Sequence, residues 1–272
     1  MEKKQPVQAA KKKKKGVKPV FKPYAKGVPY SAFVLKRSGK LMLYYAAFTF
    51  FFLMAGASLS FKNALLNVIV NVIAVAATVM LLYLEGLRNG DLDVSVGEIV
   101  HLRRENGKEV DKTDLERSYH PLRGVLAPLM GAAPLLLIAI FHAIVAKPQV
   151  HTLGVLPGWV STINAESVSL PLSYYNRESA LAFADVARIL VRLNVMPYIH
   201  IVTTENIMGL LWLDRLSPVL LLLPAVGYMV GYLRGPVSRA FTHGSIAANT
   251  RRHKRKQQKE RKARQAESTQ LI

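Results

Sequence analysis

The first candidate for chemistry is a set of oxygen-bearing side chains, Asp91, Asp93 and Ser95, which alternate as they do at the start of a calcium-binding loop. Such a loop also needs a glycine at its sixth position and a bidentate glutamate at its twelfth. Here the glycine comes one place late, at Gly97, and the twelfth position is Leu102. We therefore do not expect a calcium site in this segment.

The sequence patterns of common hydrolases do not occur in this chain. It has neither a His-Glu-x-x-His zinc motif nor a Gly-x-Ser-x-Gly nucleophile motif. Cysteine is absent, which excludes thiolate catalysis, disulfides and cysteine-bound metals. The sequence predicts no cofactor and no metal; it leaves enzymatic activity undecided and favours a non-enzymatic role.

Long apolar runs make up most of the sequence and must position any polar group that the protein uses. Residues 41–84 contain two such runs, separated only by Lys62 and Asn63. Each run is about 31 Å long at the helical rise of about 1.5 Å per residue, enough to cross the hydrocarbon core of a bilayer. The stretch is therefore predicted to be a transmembrane helical hairpin, and the apolar runs 124–146 and 216–233 predict a third and a fourth transmembrane helix.

The predicted fold class is an all-α integral membrane protein with four transmembrane helices. The remaining segments are a basic disordered cytoplasmic tail (1–40), a cytoplasmic loop (85–123), an external segment (147–215) and a second basic cytoplasmic tail (234–272). A weak apolar alternation from Asp93 to Lys108 predicts a small β-hairpin in the loop. In the external segment, an amphipathic helix over 177–196 is predicted either to lie in the membrane surface or to dip into the bilayer and return.

The distribution of lysine and arginine predicts the orientation of these spans. Thirteen precede the first span, one lies between the first and second, seven between the second and third, five between the third and fourth, and 11 follow the last. Because cytoplasmic segments carry the excess of positive residues, both termini are predicted to be cytoplasmic. The expected location is a plasma membrane.

The segment after the second span carries a family resemblance. Glu85–Gly86, Gly90–Asp91 and Pro121–Gly124 resemble a loose pattern in uncharacterised multi-span membrane proteins of Gram-positive bacteria, and the similarity covers about residues 85–137. The resemblance implies a bacterial source. It implies no particular activity, because none is known for those proteins.

Two sets of residues within the spans are predicted to bring helices together. Asn67 and Asn71 share one face of the second span, and polar side chains in lipid need partners on neighbouring helices. A polar pathway or a ligand site is the alternative interpretation of this face. Gly227, Gly231 and Gly235 recur at every fourth position and predict a close helix–helix contact along the fourth span.

His142 is the only ionisable residue in the third predicted span. A histidine deep in a membrane suggests proton handling, but this one lies about one turn from Lys147, at the end of the span. It is interpreted as an interfacial residue. None of the four predicted spans contains Asp, Glu, Lys or Arg, which argues against coupled transport.

The basic tails are the main indication of function. Their clustered lysines and arginines are Lys11, Lys12, Lys13, Lys14, Lys15, Arg251, Arg252, Lys254, Arg255 and Lys256. Each basic residue near an anionic membrane contributes about 1 kcal/mol, so the tails are predicted to bind anionic lipid headgroups, or a cytoplasmic or membrane-protein partner. The leading hypothesis is a scaffold or accessory protein. The alternatives are a transporter or channel component and membrane-tethered RNA or ribosome binding, the latter supported by charge alone.

Overall fold

The structure, a computed structural model, describes residues 18–147, 183–203 and 206–270. These residues form helices and contain no β-strand. In chain order the helices are α1 (Ala32–Ala55), α2 (Ala64–Glu105), α3 (Lys112–Arg117), α4 (Arg123–Val145), α5 (Phe183–Asn194), α6 (Met196–Val202), α7 (Ile207–Leu233) and α8 (Gly235–Gln270), with a 3₁₀ turn (Gly56–Leu59) after α1.

Helices α1, α2, α4 and α7 are each long and apolar enough to cross a membrane. The prediction of an all-helical chain with four such helices is confirmed for the described residues. Most residues in the apolar stretches of these helices are at least partly exposed in the isolated chain. Such exposure is unfavourable in water but not in lipid, whose acyl chains are as apolar as the side chains that they contact.

The β-hairpin predicted within 85–123 is wrong, because α2 continues without a break to Glu105. Gly86, Gly90, Val94 and Gly97 are all buried, and their spacings of four, four and three residues place them on one helical face. This helical period continues the packing face of the apolar part of α2. It outweighs the weaker two-residue alternation on which the hairpin was predicted.

The disordered tail predicted over 1–40 is also wrong for its described part. Residues 18–31, which we call the N-terminal strap, have no regular secondary structure but are hydrogen-bonded to other elements, and α1 begins at Ala32. The strap's backbone N–H groups donate from Val20 to Ala240, from Ala25 to Gly97 and from Gly27 to Tyr119. Carbonyl groups of helical and turn residues thus compensate for the lack of secondary structure in this proline-rich segment. The predicted site residues Lys11–Lys15 lie outside the described residues.

Helices α5 and α6 form a short hairpin that inserts into the bundle. The start of α5 lies beside the end of α4, where the rings of Phe183 and Phe141 are 5.3 Å apart. The end of α5 lies much deeper, where Asn194 donates to the hydroxyl of Thr49 in α1 at 2.7 Å. The chain then turns, and α6 brings His200 back to the end of α1. Residues 177–182 of the predicted amphipathic helix lie outside the described residues, and residues 183–194 form a helix that packs against α1, α4 and α7.

Candidate functional site

Helices α2 and α7 approach so closely that only glycine fits at their contact. A Cβ atom placed on Gly231 would overlap the carbonyl oxygen of Tyr83, and one on Gly227 would lie 2.8 Å from the carbonyl oxygen of Val79. Gly86 of α2 meets the backbone of α7 in the same way. Because residue numbers rise together along both helices at these contacts, α2 and α7 run parallel.

Gly235 extends this contact into α8. A Cβ atom there would overlap the backbone of Gly90, so α8 begins in direct backbone contact with α2. Only the turn at Arg234 separates α8 from α7. The three glycines singled out in the sequence, Gly227, Gly231 and Gly235, therefore all face α2.

Asn67 and Asn71 lie buried near the other end of α2. The amide nitrogen of Asn67 donates to the carbonyl of His200 in α6 at 2.5 Å, and that of Asn71 donates to the carbonyl of Leu59 at 2.9 Å. The 3₁₀ turn and the short helix α6 leave carbonyl groups without helical partners. The two asparagines satisfy these groups and tie α2 to its neighbours.

A buried ion cluster joins α1, α2 and α7 where the apolar spans end. The Asp93 side chain is 3 % exposed, and its two oxygens accept hydrogen bonds from the Arg37 guanidinium at 2.5 and 2.6 Å. The hydroxyl of Tyr232 donates to the same carboxylate at 2.7 Å. A bidentate arginine pair is among the strongest of protein hydrogen bonds, and a buried carboxylate requires such partners. The cluster fixes the three helices in register.

Arg123 fixes the N-terminal strap to the start of α4. Its side chain is fully buried, its Nε donates to the carbonyl of Val28 at 2.7 Å, and one terminal nitrogen donates to the carbonyl of Glu116. The second terminal nitrogen has no partner among the described residues. Carbonyl groups, which carry only partial charge, thus surround this cation. No carboxylate forms an ion pair with it in the described part of the chain.

Three tyrosine rings pack beside these charged groups. The ring of Tyr119 stacks on that of Tyr232 with centroids 5.2 Å apart, and Tyr24 meets it edge-on at 5.8 Å. Burial, with Tyr24 and Asp93 nearby, raises the pKa of Tyr119 to about 12. The phenol therefore stays neutral at physiological pH and acts here as a packing group.

The second half of α2 and the start of α8 form a paired extension that we call the stalk (residues 85–105 and 235–248). Within it, Glu98 of α2 accepts from the Nε of Arg239 at 3.2 Å and lies 2.7 Å from the Nε2 of His243. The Glu98 side chain is buried, so these contacts are shielded from solvent. The stalk is thus held by the ion pair of Glu98 with Arg239 and by the contact of Glu98 with His243, as well as by the glycine contact at its base.

From residue 249 to residue 261 every side chain of α8 is exposed. This segment, the basic helix, carries the predicted site residues Arg251, Arg252, Lys254, Arg255 and Lys256. It has no apolar face, and the ion pair seen within it joins Lys256 to Glu260 at 3.9 Å. Like charges on adjacent turns destabilise a helix, so a bound anion would relieve their repulsion. Charge is therefore what this surface offers to a ligand.

Sequence reasoning missed a second buried ion cluster at the opposite end of the bundle. Asp214 of α7 accepts from Arg192 of α5 at 2.7 and 3.1 Å and lies 3.3 Å from His142 of α4. The fourth span was predicted to begin at residue 216, which assigned Asp214 to a loop, but α7 begins at Ile207. His142 is accordingly buried against a carboxylate. A signal was present in the polar stripe of 177–196, whose arginine required an acidic partner.

A small cavity lies in the described part of the bundle interior. A cavity of about 20 Å³ lies between α1, α2, α7 and the α5–α6 hairpin, and it has polar groups from Tyr45, Thr78, Asn194 and Tyr198 in its wall. That volume holds about one water molecule. Within the described ranges, no three His, Asp or Glu side chains converge to hold a metal ion.

Comparison with known proteins adds no relative to this picture. No protein-family model matches the chain, and neither the search of curated proteins nor that of solved structures gave a match.

Proposed function

We propose that this chain is a non-enzymatic membrane scaffold or accessory protein that presents the basic helix to an anionic partner. The observation that supports this most directly is that residues 249–261 are exposed on all sides while the same helix is fixed to the bundle by the stalk. A freely attached basic tail would need no such support. The stalk instead fixes the position of the basic helix relative to the membrane.

The position of the basic helix favours a cytoplasmic partner over the headgroups of the protein's own bilayer. Arg251 follows Arg234, at the end of α7, by 17 residues, or about 26 Å along a helix. Since α2 is one continuous helix, the stalk continues its direction away from the apolar spans. The Debye length in physiological salt is about 8 Å, so attraction across that distance is largely screened. An acidic protein surface is the partner that this geometry fits best.

Anionic lipid headgroups remain the partner proposed for the cluster Lys11–Lys15. This cluster precedes the N-terminal strap, whose Val20 bonds to Ala240 in the first turns of α8. Ala240 follows Arg234 by six residues, about 9 Å along the helix, which is close to one Debye length. Val20 is thus held closer to the spans than the basic helix is, and we propose a different partner for each basic cluster.

The placement in a membrane is part of the same proposal. The count of basic residues supports cytoplasmic termini in a plasma membrane, and the family resemblance supports a bacterial one. With this orientation the α5–α6 hairpin enters from the external side and reaches the middle of the bilayer. Its helical backbone and buried polar contacts suit that depth, where unsatisfied groups are costly.

Photo-crosslinking in intact cells tests the proposal. In one variant of the full-length protein, a photoreactive residue replaces Gln257 in the basic helix. In a second variant, the photoreactive residue replaces Lys112, an exposed residue of α3. We expect a protein adduct at Gln257 that is lost when Arg251, Arg252, Lys254, Arg255 and Lys256 are changed to Gln, and no equivalent adduct at Lys112. Adducts of RNA or lipid alone at Gln257, or a protein adduct that survives the charge removal, would contradict the proposal.

A channel or transporter component is the second candidate. Its support is the α5–α6 hairpin, whose Asn194 contributes to the polar wall of the interior cavity, together with the buried Asp214 cluster. Against it, the cavity holds about one water molecule, and both oxygens of Asp214 accept hydrogen bonds from Arg192. Solute or ion flux into proteoliposomes that is abolished by Asn194→Leu would favour this function over the scaffold.

A further inference from the structure

An apolar groove runs along the outer surface of the bundle between α2 and α7. It has a volume of about 530 Å³. Its walls include Ala76, Val79, Met80, Leu223, Val226 and Val230, with Gly227 at the line where the two helices touch. The absence of a side chain at Gly227 brings the helices together there and leaves a trough above the contact.

An exposed cation, Arg234, lies at one end of this groove. Arg234 lies on the same helical face as Leu223 and Val230, one turn beyond the latter, and it is exposed. Its guanidinium donates to the hydroxyl of Tyr83, which also lines the groove, at 3.2 Å. No carboxylate in the described part of the chain forms an ion pair with Arg234. Tyr83 therefore holds an unneutralised positive charge at the mouth of an apolar trough.

The length of the groove matches one leaflet of a bilayer. From Arg234 to Leu223 is 11 residues, about 16 Å along the helix. Half of a hydrocarbon core of about 30 Å is about 15 Å. If the end of a lipid acyl chain lies near Leu223 and the chain follows the groove, the headgroup of that lipid lies at the level of Arg234. A transmembrane helix of a partner protein would continue past Leu223 and would not need the groove to end there.

We propose that this groove binds an anionic lipid from the leaflet that meets Arg234, with one acyl chain between α2 and α7 and its phosphate on the Arg234 guanidinium. Arginine binds phosphate through two parallel N–H donors, and the hydroxyl of Tyr83 keeps the guanidinium at the groove. The apolar walls bind the chain, and the arginine selects the headgroup. This site is separate from the basic helix and does not depend on its function.

Native mass spectrometry of the full-length protein tests the site. Protein purified in mild detergent is mixed with phosphatidylglycerol or with phosphatidylcholine of identical acyl chains, in about 1 M volatile salt, where the Debye length falls to about 3 Å and the tails are screened. We expect phosphatidylglycerol to be retained preferentially. Arg234→Gln should reduce that retention about tenfold and leave phosphatidylcholine unchanged. Tyr83→Phe, which keeps the groove wall but frees the arginine, should give a smaller loss.

Two matched controls separate the groove from the general surface. Arg88→Gln removes a different exposed cation, one that lies on α2 and does not line the groove. Ala77→Phe adds an aromatic ring at the residue next to Ala76, outside the groove lining. Both should retain lipid as the parent does, whereas Ala76→Phe should fill the groove and reduce retention of both lipids. Equal retention of the two lipids by the parent, or equal losses for Arg88→Gln and Arg234→Gln, would overturn the proposal. Dissociation of a dimer by Ala76→Phe would show instead that a second copy occupies the groove.

Discussion

The ion cluster around Asp93 gives the sharpest prediction about stability. Asp93→Asn keeps the shape of the side chain and an oxygen that accepts from Tyr232, but it removes the charge that neutralises Arg37. The guanidinium would then remain at the same place with no carboxylate to pair with. We expect the protein to fold and insert, and to lose stability.

The expected loss follows from the burial of the two partners. Removing one member of a fully buried pair costs about 3–5 kcal/mol, because the other charge is left uncompensated. The Arg37 side chain is 22 % exposed, so water recovers part of this penalty, and we expect the free energy of unfolding to fall by about 2–3 kcal/mol. For a chain of this size that corresponds to a Tm lower by about 5–10 °C.

Thermal unfolding in a fixed detergent, followed by tryptophan fluorescence, measures this loss. The matched control is Lys40→Gln, which breaks the neighbouring pair between α1 and α2. Lys40 lies 2.6 Å from Glu85, but its side chain is 54 % exposed, so the cost should stay below about 1 kcal/mol. Combining Arg37→Gln with Asp93→Asn should recover stability relative to Asp93→Asn alone, since no unpaired charge remains.

The reasoning would be refuted if Asp93→Asn and Lys40→Gln lowered Tm by the same small amount. It would also be refuted if the double variant were less stable than Asp93→Asn by the full cost of a second independent mutation. Either result would mean that solvent reaches the cluster and that it contributes no more than a surface ion pair.

Further measurements test other parts of the structure. Gly231→Ala should sharply reduce thermostability in detergent, because the added methyl group would overlap the α2 backbone. Gly39→Ala, which has open space around the new atom, should be neutral or slightly stabilising. Equal Tm values for the two variants would mean that α2 and α7 do not touch. Stability should also fall as pH rises from 10 towards 12, because unfolding frees Tyr119, whose pKa is about 12 when folded, to ionise near 10; Tyr119→Phe should flatten that part of the pH profile. Reporter fusions at Lys108 and Asn164 should be active only as cytoplasmic and only as external reporters, respectively, and the reverse pattern would overturn the proposed orientation.

The spans were readable from the sequence because lipid imposes a simple length rule. A helix needs about 20 apolar residues to cross the hydrocarbon core, and each of the four apolar runs can be recognised within its own stretch of sequence. The contact face of α7 was readable for a similar reason, since glycine at every fourth position is a local pattern. The matching face of α2 continues through Gly86, Gly90 and Gly97, but it crosses from apolar into charged sequence. In residues 85–105 the many charged side chains made the helical spacing of the buried residues hard to recognise.

The ion clusters could not be predicted because their partners are distant in sequence. Arg37 and Asp93 are 56 residues apart, and Arg192 and Asp214 are 22 apart. Composition shows only that a charge exists; which charge neutralises it depends on how the helices are arranged. The N-terminal strap escaped prediction for the same reason, since its stability comes from carbonyl groups supplied by other elements and not from any period of its own.

The path of the N-terminal strap has a consequence for how the chain is made. Synthesis and insertion proceed from the N-terminus, yet the partners of the strap are made one after another: Gly97 in the stalk after the second span, Tyr119 before the third span, and Ala240 only after the fourth. The hydrogen bond from Val20 therefore cannot form until the first turns of α8 have been synthesised. Seating of Val20 against α8 marks the moment at which the whole bundle is present, so that a chain truncated before Ala240 would leave this end of the strap open to proteolysis.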